Sequence, residues 1–237
     1  MKLGLYTTLI ALLVVHIAGA QGSSTFVSHG ASVVSHGSRK EKKIALTFDA
    51  CSTRVPSHYD DRVTKVLVDT HTPATLFLGG KWIEEEIKHA KYLASLSQFE
   101  FGNHTYSHPH LTQISEEEVR NELQKTQKVF QNILGLKPTL FRPPYGEYNP
   151  RVVDVASKLG LQTIEFDVTA GDPDILFTKE IVINYVTKSA KNGSIIVMHI
   201  NRRGWHTAEA LPEIIRRLRE LGFQLVKVSE LSPSDQK

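Results

Sequence analysis

From residue 43 onward the sequence predicts an α/β fold built on parallel strands, and three observations carry that expectation. Short β-rich runs take turns with amphipathic runs of helical period, the helical runs carry their own start and stop signals, and polar residues of reactive type gather at the carboxyl ends of the β-rich runs. Strands are expected at 43–49 (KIALTFD), 74–80 (ATLFLGG), 99–104 (FEFGNH), 139–143 (TLFRP), 162–167 (QTIEFD), 194–200 (SIIVMHI) and 223–228 (FQLVKV). After the first, Asp60 and Asp61 open a helix, where carboxylates suit the positive end of the dipole. Ser115 and Glu118 spell a capping box, Asn149-Pro150 sets a cap before a first-turn proline, and Gly135, Gly160 and Gly222 stand where helices stop. Near the end, Leu211, Ile214, Ile215, Leu218 and Leu221 form one apolar stripe, so the arginines of RRLRE at 216–220 face water. Strict alternation implies right-handed helical crossovers between parallel strands, which close into a barrel or spread as a doubly wound sheet. Composition does not choose between the two.

The amino end reads differently. Residues 1–20 carry one Lys, an apolar stretch and a small-residue Ala18-Gly19-Ala20 close, the pattern of a cleaved signal peptide, and hence of a secreted or periplasmic protein. The apolar run is interrupted by Thr7, Thr8 and His16 and falls short of the ~20 apolar residues of a spanning helix, so no stable membrane span is expected after cleavage. Residues 21–42 are rich in Ser and Gly and repeat VSHG, which predicts a flexible linker carrying His29 and His36. One domain is expected over 43–231, followed by a short tail at 232–237. The net charge is +3, or +2 once Lys2 leaves with the leader, well short of the basic stripe that nucleic-acid binding requires. With Cys51 as the single cysteine, no internal disulfide can form.

Asp49, His104, Arg142, Asp167 and His199 fall at or beside the carboxyl ends of five expected strands, and in parallel α/β folds those ends converge on one face. Within GNHTYSHPHL, His104 and His108 stand four apart; on one helical turn they would point the same way, as metal ligands do, whereas His110, two further on after Pro109, points elsewhere.

The elements TFDAC (47–51), NHTYSH (103–108), RPPYG (142–146), a strand-end aspartate and VMH (197–199), in that order, resemble the polysaccharide deacetylases of the NodB-homology group, carbohydrate esterase family 4. The resemblance spans roughly residues 43–231. It implies a distorted (β/α)7 barrel with outer helices and a hydrolase that removes N-acetyl groups from N-acetylhexosamine residues of a polysaccharide or cell-surface glycan with a divalent metal, most often Zn2+, with Co2+ as a substitute. Under it His104 and His108 hold the metal, Asp49 is the general base, Arg142 keeps Asp49 ionised and aimed, and the Tyr145 backbone N–H helps bind the oxyanion. His199 is the general acid, oriented and raised in pKa by a carboxylate, for which Asp167, directly on the strand, is preferred over Asp172. Tyr145 and Trp205 are candidate sugar platforms, with core packing the rival role for Trp205; Arg202, Arg203 and His206 are expected around the same rim. Asn103 and Asn192 match the N-glycosylation spelling, and a glycan on Asn103 would block the cleft.

The commonest spelling of the first motif has two adjacent aspartates, the second a metal ligand, and here Ala50 takes its place. Three repairs are open, with water filling the vacancy, Asp49 binding the metal itself, or Cys51 swinging in as a thiolate; the rival role for Cys51 is a small buried hydrophobe. Asp-Ala-Cys together with the later N-x-x-G-x-x-T-A-E-A stretch is similar to one branch of the family, so Ala50 reads as a branch feature. The competing functions are a deacetylase-shaped glycan-binding module without catalysis, and an esterase or deformylase using the same centre.

Overall fold

The computed structural model describes residues 32–53 and 57–233. The expected signal peptide and the first part of the expected linker lie outside the described residues. All seven expected strands form: β2 (Lys43–Ala50), β3 (Ala74–Leu78), β4 (Phe99–Asn103), β5 (Leu140–Phe141), β6 (Gln162–Ile164), β8 (Ile195–His199) and β9 (Gln224–Val226). Two short strands, β1 (Val33–Val34) and β7 (Val168–Thr169), join them. Every pairing between strands is parallel, in the order β1-β6-β5-β4-β3-β2-β8-β7 with β9 against the start of β2. The sheet curls into a distorted (β/α)7 barrel with helices outside.

The outer layer holds α1 (Asp61–Asp69), α2 (Gly80–Glu85), α3 (Ile87–Ala94), α4 (Glu116–Val129), α5 (Pro150–Lys158), α6 (Lys179–Ser189) and α7 (Thr207–Glu220). Their ends follow the local chemistry. Asp60 caps α1, the Ser115–Glu118 box opens α4, Asn149 accepts from Val152 N before Pro150, and Gly135, Gly160 and Gly222 take left-handed φ values. Leu211, Ile214, Ile215 and Leu218 of α7 are buried, but Leu221, one turn beyond, is half exposed.

Strand periodicity divides β2 between two cores. Ile44, Leu46, Phe48 and Ala50 pack outward in the large cluster between sheet and helices, while Ala45 joins Phe77, Ile164 and Ile195 inside the barrel. Thr47 and Asp49 therefore face the interior too, where both meet Arg142.

Two expectations need correction. The linker reading fails over its described part, because Val33–Val34 pairs with β6, His36 bridges Ser194, Gly37 N donates to Gly193 O, and Arg39 donates to Asn192 O and Asp167. This segment ties the edge of β6 to the residues at the starts of β7 and β8, a role a Ser/Gly-rich tract reveals only once a sheet edge is there to receive it. The run 162–167 is also not one strand. It pairs with β5 as β6, breaks at residues 165–167, and resumes as β7 beside β8, so one stretch of chain spans the gap between the two edges of the curled sheet. No helix among the described residues is long and apolar enough to cross a membrane.

Gly102 on β4 shows how tightly the interior is filled, since a Cβ there would overlap the Phe77 ring, over which the Arg142 guanidinium lies at 4.1 Å. Gly102→Ala is expected to lower stability by about 1–3 kcal/mol. A thermal or denaturant unfolding curve superimposable on wild type would show that the ring has room to yield.

Candidate active site

The carboxyl ends of β2, β4, β5 and β8 surround a cleft of about 300 Å³ whose lining includes Asp49, Cys51, His104, His108, Tyr145, Asp172, His199 and Arg203. Asp49 is the last inward residue of β2. Its Oδ1 accepts from Arg142 Nη1 at 2.9 Å, and its Oδ2 lies 3.8 Å from His104 Nε2. Arg142 is wholly buried just past β5. The same Nη1 donates to Thr47 Oγ1 at 2.7 Å, and Nη2 donates to the Glu165 carbonyl at 3.3 Å. Burial pushes the neighbouring Glu165 carboxyl up to about 7, with Arg142 opposing and Asp49 assisting.

His104 and His108 converge as expected, with ring centroids 5.0 Å apart, but no helix presents them. Residues 104–110 form a loop in which Thr105 and His108 both take left-handed φ, 63° and 60°. The two rings are brought together by a left-handed loop and not by the expected helical turn. The strained turn is held from outside: Glu122 Oε2 of α4 accepts from Tyr106 N and Ser107 N at 2.8 Å, Gly80 N donates to Thr105 O, and Asn103 Oδ1 accepts from Thr105 N. Asn103 itself is fully buried and donates to Leu123 O, and Asn192 donates to Arg39 O, so both glycosylation spellings are occupied structurally.

His104 Nδ1–H donates to the Arg142 carbonyl at 2.8 Å, which fixes the tautomer and leaves Nε2 with its lone pair facing the cleft. His108 Nδ1 is buried with no hydrogen-bond partner. Burial lowers the pKa of both rings, His108 to about 2 with the neighbouring histidines and Arg203 adding repulsion, so both imidazoles are neutral. Ligand atoms of His104, His108 and Cys51 all lie within 4.8 Å of one another. Two neutral imidazoles, one with an orphaned buried nitrogen, and a sulfur donor fit a divalent cation. His110 takes no part, pairing with Glu147 at 2.8 Å and stacking on Tyr145.

His199 sits at the end of β8, in register with Asp49. Its partner corrects the expectation. Asp167 lies at the start of β7, toward the opposite end of the barrel, where it accepts from Arg39, Ser194 Oγ and Ile195 N. Asp172, after β7, is the carboxylate that meets His199: its Oδ1 lies 3.2 Å from Nδ1, and its Oδ2 accepts from His199 N at 2.8 Å and Thr207 Oγ1 at 2.6 Å. Burial pulls the His199 pKa down, but the charge and hydrogen bond of Asp172 overcome it and leave the imidazole above its ordinary value. The strand-end rule misassigned Asp167 because the strand it was read from is broken. The N-x-x-G-x-x-T stretch carried the missing signal: Thr207 holds Asp172, Gly204 leaves room for that contact, and Asn201 Nδ2 donates to the Cys51 carbonyl.

Tyr145 has a left-handed φ of 62°, a half-exposed ring edge-on to His108 at 4.5 Å, and a hydroxyl that donates to the His108 carbonyl. Trp205 is 51% exposed, so core packing is excluded for it; it lines a neighbouring hollow with Arg62 and Arg202. Arg203 lines the main cleft.

Known proteins share this arrangement of chain. The Polysaccharide deacetylase family model matches residues 36–164, more than half of the 237 residues. The protein YlxY of Bacillus subtilis, itself uncharacterized, is 29% identical over 180 residues, covering 74% of this chain and 53% of YlxY, so the chain spans about half that relative's length. A peptidoglycan-N-acetylglucosamine deacetylase of Bacillus cereus is 32% identical over 194 residues, covering 81% of this chain and 88% of the relative. Among solved structures, a CE4 family pseudoenzyme from Bacillus anthracis superimposes with a TM-score of 0.77 at 25% identity, covering 87% of this chain and 74% of the other. A family model that matches more than half of the chain, and a relative 32% identical over 81% of it, place the chain in the polysaccharide deacetylase family.

Proposed function

We propose that the protein is a metal-dependent hydrolase that removes N-acetyl groups from N-acetylhexosamine residues of a polysaccharide or cell-surface glycan, with Zn2+ as the ion and Co2+ as a working substitute, in a secreted or periplasmic setting. The observation that carries this reading is the meeting, in one cleft, of an Arg-paired aspartate, two neutral histidines and a third histidine kept basic by its own carboxylate. Peptidoglycan is the favoured glycan class, because relatives that align over most of this chain are peptidoglycan deacetylases.

His104 and His108 would hold the cation, which would supply a more acidic water and a polarised acetyl carbonyl. Asp49, held and aimed by Arg142, accepts a proton from the attacking water. The Tyr145 backbone N–H donates to the oxygen on which negative charge develops. His199, as imidazolium, gives its proton to the departing amine, and Asp172 holds that proton at Nε2 by fixing Nδ1–H. Acetate and a free amino sugar leave. The half-exposed Tyr145 ring offers a face to the sugar.

A second reading, a glycan-binding module without turnover, is favoured by Ala50 in place of the usual second aspartate and by the pseudoenzyme among the structural relatives. The retained acid–base pair weighs against it, since binding alone gives no reason to keep His199 protonated opposite Asp49.

Three outcomes are expected. Purified protein incubated with N-acetylated oligosaccharides releases acetate and free amine in equal amounts, stops with chelator and resumes with zinc or cobalt; binding without either product, in a metal-supplemented sample, would establish the second reading. His104→Ala and His108→Ala each abolish metal uptake by elemental analysis, whereas Asp49→Asn retains the ion and lowers kcat by about 10²–10⁴-fold; loss of the ion in Asp49→Asn would make Asp49 a ligand and not the base. Because Asp172 raises the His199 pKa, the acid form persists to higher pH in wild type, so Asp172→Asn moves the alkaline limb of the kcat profile to lower pH. An unmoved limb would take the general-acid role away from His199.

A further inference from the structure

Ala50 cannot coordinate a metal, and its side chain packs outward in the core between sheet and helices. The residues on either side of it are the ones that line the cleft, Asp49 and Cys51. Asp49 is committed to Arg142 through Oδ1, and among the described residues it does not join the set of donors that gather within 4.8 Å of one another; Cys51 does, with His104 and His108. A lone buried cysteine would carry nothing, but here the partner beside it points to a ligand. His108 is 8% exposed, and its Nδ1 has no hydrogen-bond partner. A buried ring nitrogen left unsatisfied is costly unless something occupies the space it faces.

The position of Cys51 is also fixed by its backbone. Its carbonyl accepts from the Nδ2 of the fully buried Asn201 at 3.1 Å, and Gly79 N donates to the Ala50 carbonyl at 2.8 Å. Two bonds from different elements thus hold the turn out of β2 in the course that brings residue 51 to the cleft. Asn201 belongs to the same N-x-x-G-x-x-T stretch whose Thr207 holds Asp172, so one segment supports both the donor cluster and the acid.

Resting on the metal-dependent reading above, we propose that Cys51 is the third protein ligand, a thiolate that completes a His₂Cys site with His104 and His108 and leaves one position open for water. Tetrahedral bonds of about 2.0–2.3 Å set donor atoms roughly 3.5 Å apart, so a bound ion would draw the cluster, now within 4.8 Å, closer together. A bare thiolate is disfavoured in so buried a place, but a bound dication would stabilise it, the thiol proton passing to water. Sulfur donation also selects the ion, favouring zinc and cobalt over magnesium or calcium.

The test uses the full protein stripped of metal and given one equivalent of Co2+. Because Cys51 is the only cysteine in the chain, an intense near-ultraviolet sulfur-to-cobalt charge-transfer band in the wild type can arise only from it. The band is expected in wild type and absent from Cys51→Ser, with cobalt affinity lower by about tenfold or more, since even residues that merely support ligands are worth that much. Cys51→Asp is expected to hold cobalt without the band. Cobalt bound and acetate released by wild type with no such band would overturn the Cys51 ligand while leaving the deacetylase reading standing. A wild-type protein that takes up no cobalt at all would remove both. A band that survives in Cys51→Ser would likewise overturn the assignment.

Discussion

The active end of this barrel is organised around one guanidinium taken out of water. Arg142 has no exposed surface, and removing the partner of such a charge typically costs about 3–5 kcal/mol because the remaining ion has nowhere to turn. Asp49 and Thr47 satisfy one edge of it, the Glu165 carbonyl another, and the Phe77 ring lies against its face. Asp49 and Thr47 come from β2, Phe77 from β3 and Glu165 from the exit of β6, so Arg142, just past β5, ties these four elements to a single point. Gly102 gives Phe77 its space, which makes an unremarkable glycine in β4 part of the support for the aspartate across the barrel.

Around that point, three histidines are driven to opposite states by their surroundings. His104 and His108 are deeply buried, and that burial lowers both pKa values; at His104 it outweighs the opposing pull of Asp49, and at His108 the neighbouring histidines and Arg203 add to it. His199 is partly buried, and Asp172 against its Nδ1 lifts its pKa above the ordinary imidazole value. One residue type is thus given contrasting proton affinities by burial and by the carboxylates placed beside it. Asp49 lies between them, in register with His199 across β2 and β8 and within 3.8 Å of His104.

The segment after β8 links these parts. Asn201 fixes the turn that carries Cys51, Arg203 lines the cleft, and Thr207, the first residue of α7, fixes Asp172. A helix start that would ordinarily serve packing alone here positions the two features in which this chain departs from the commoner spelling of its family. Tyr145 is half exposed at this cleft, and the exposed Trp205 lines a neighbouring hollow.

The seven main strands, the helix caps and the gathering of Asp49, His104, Arg142 and His199 were legible in the sequence, because hydrophobic period and cap chemistry are local and parallel strands bring their carboxyl ends to one face. The His104–His108 pair was legible too, although its presentation by a left-handed loop was not: Thr105 and His108 hold φ values that only Glu122, Asn103 and Gly80, from other elements, make tolerable. What the tertiary structure alone decided was every feature resting on which edge receives which strand. Val33–Val34 is too short to declare itself before β6 offers an edge, and residues 162–167 read as one strand until the curled sheet demands a bend between β6 and β7. That bend sends Asp167 to the far end of the barrel and brings Asp172 to His199, since a side chain's neighbours in a closed sheet are set by long-range pairing, to which no local pattern refers.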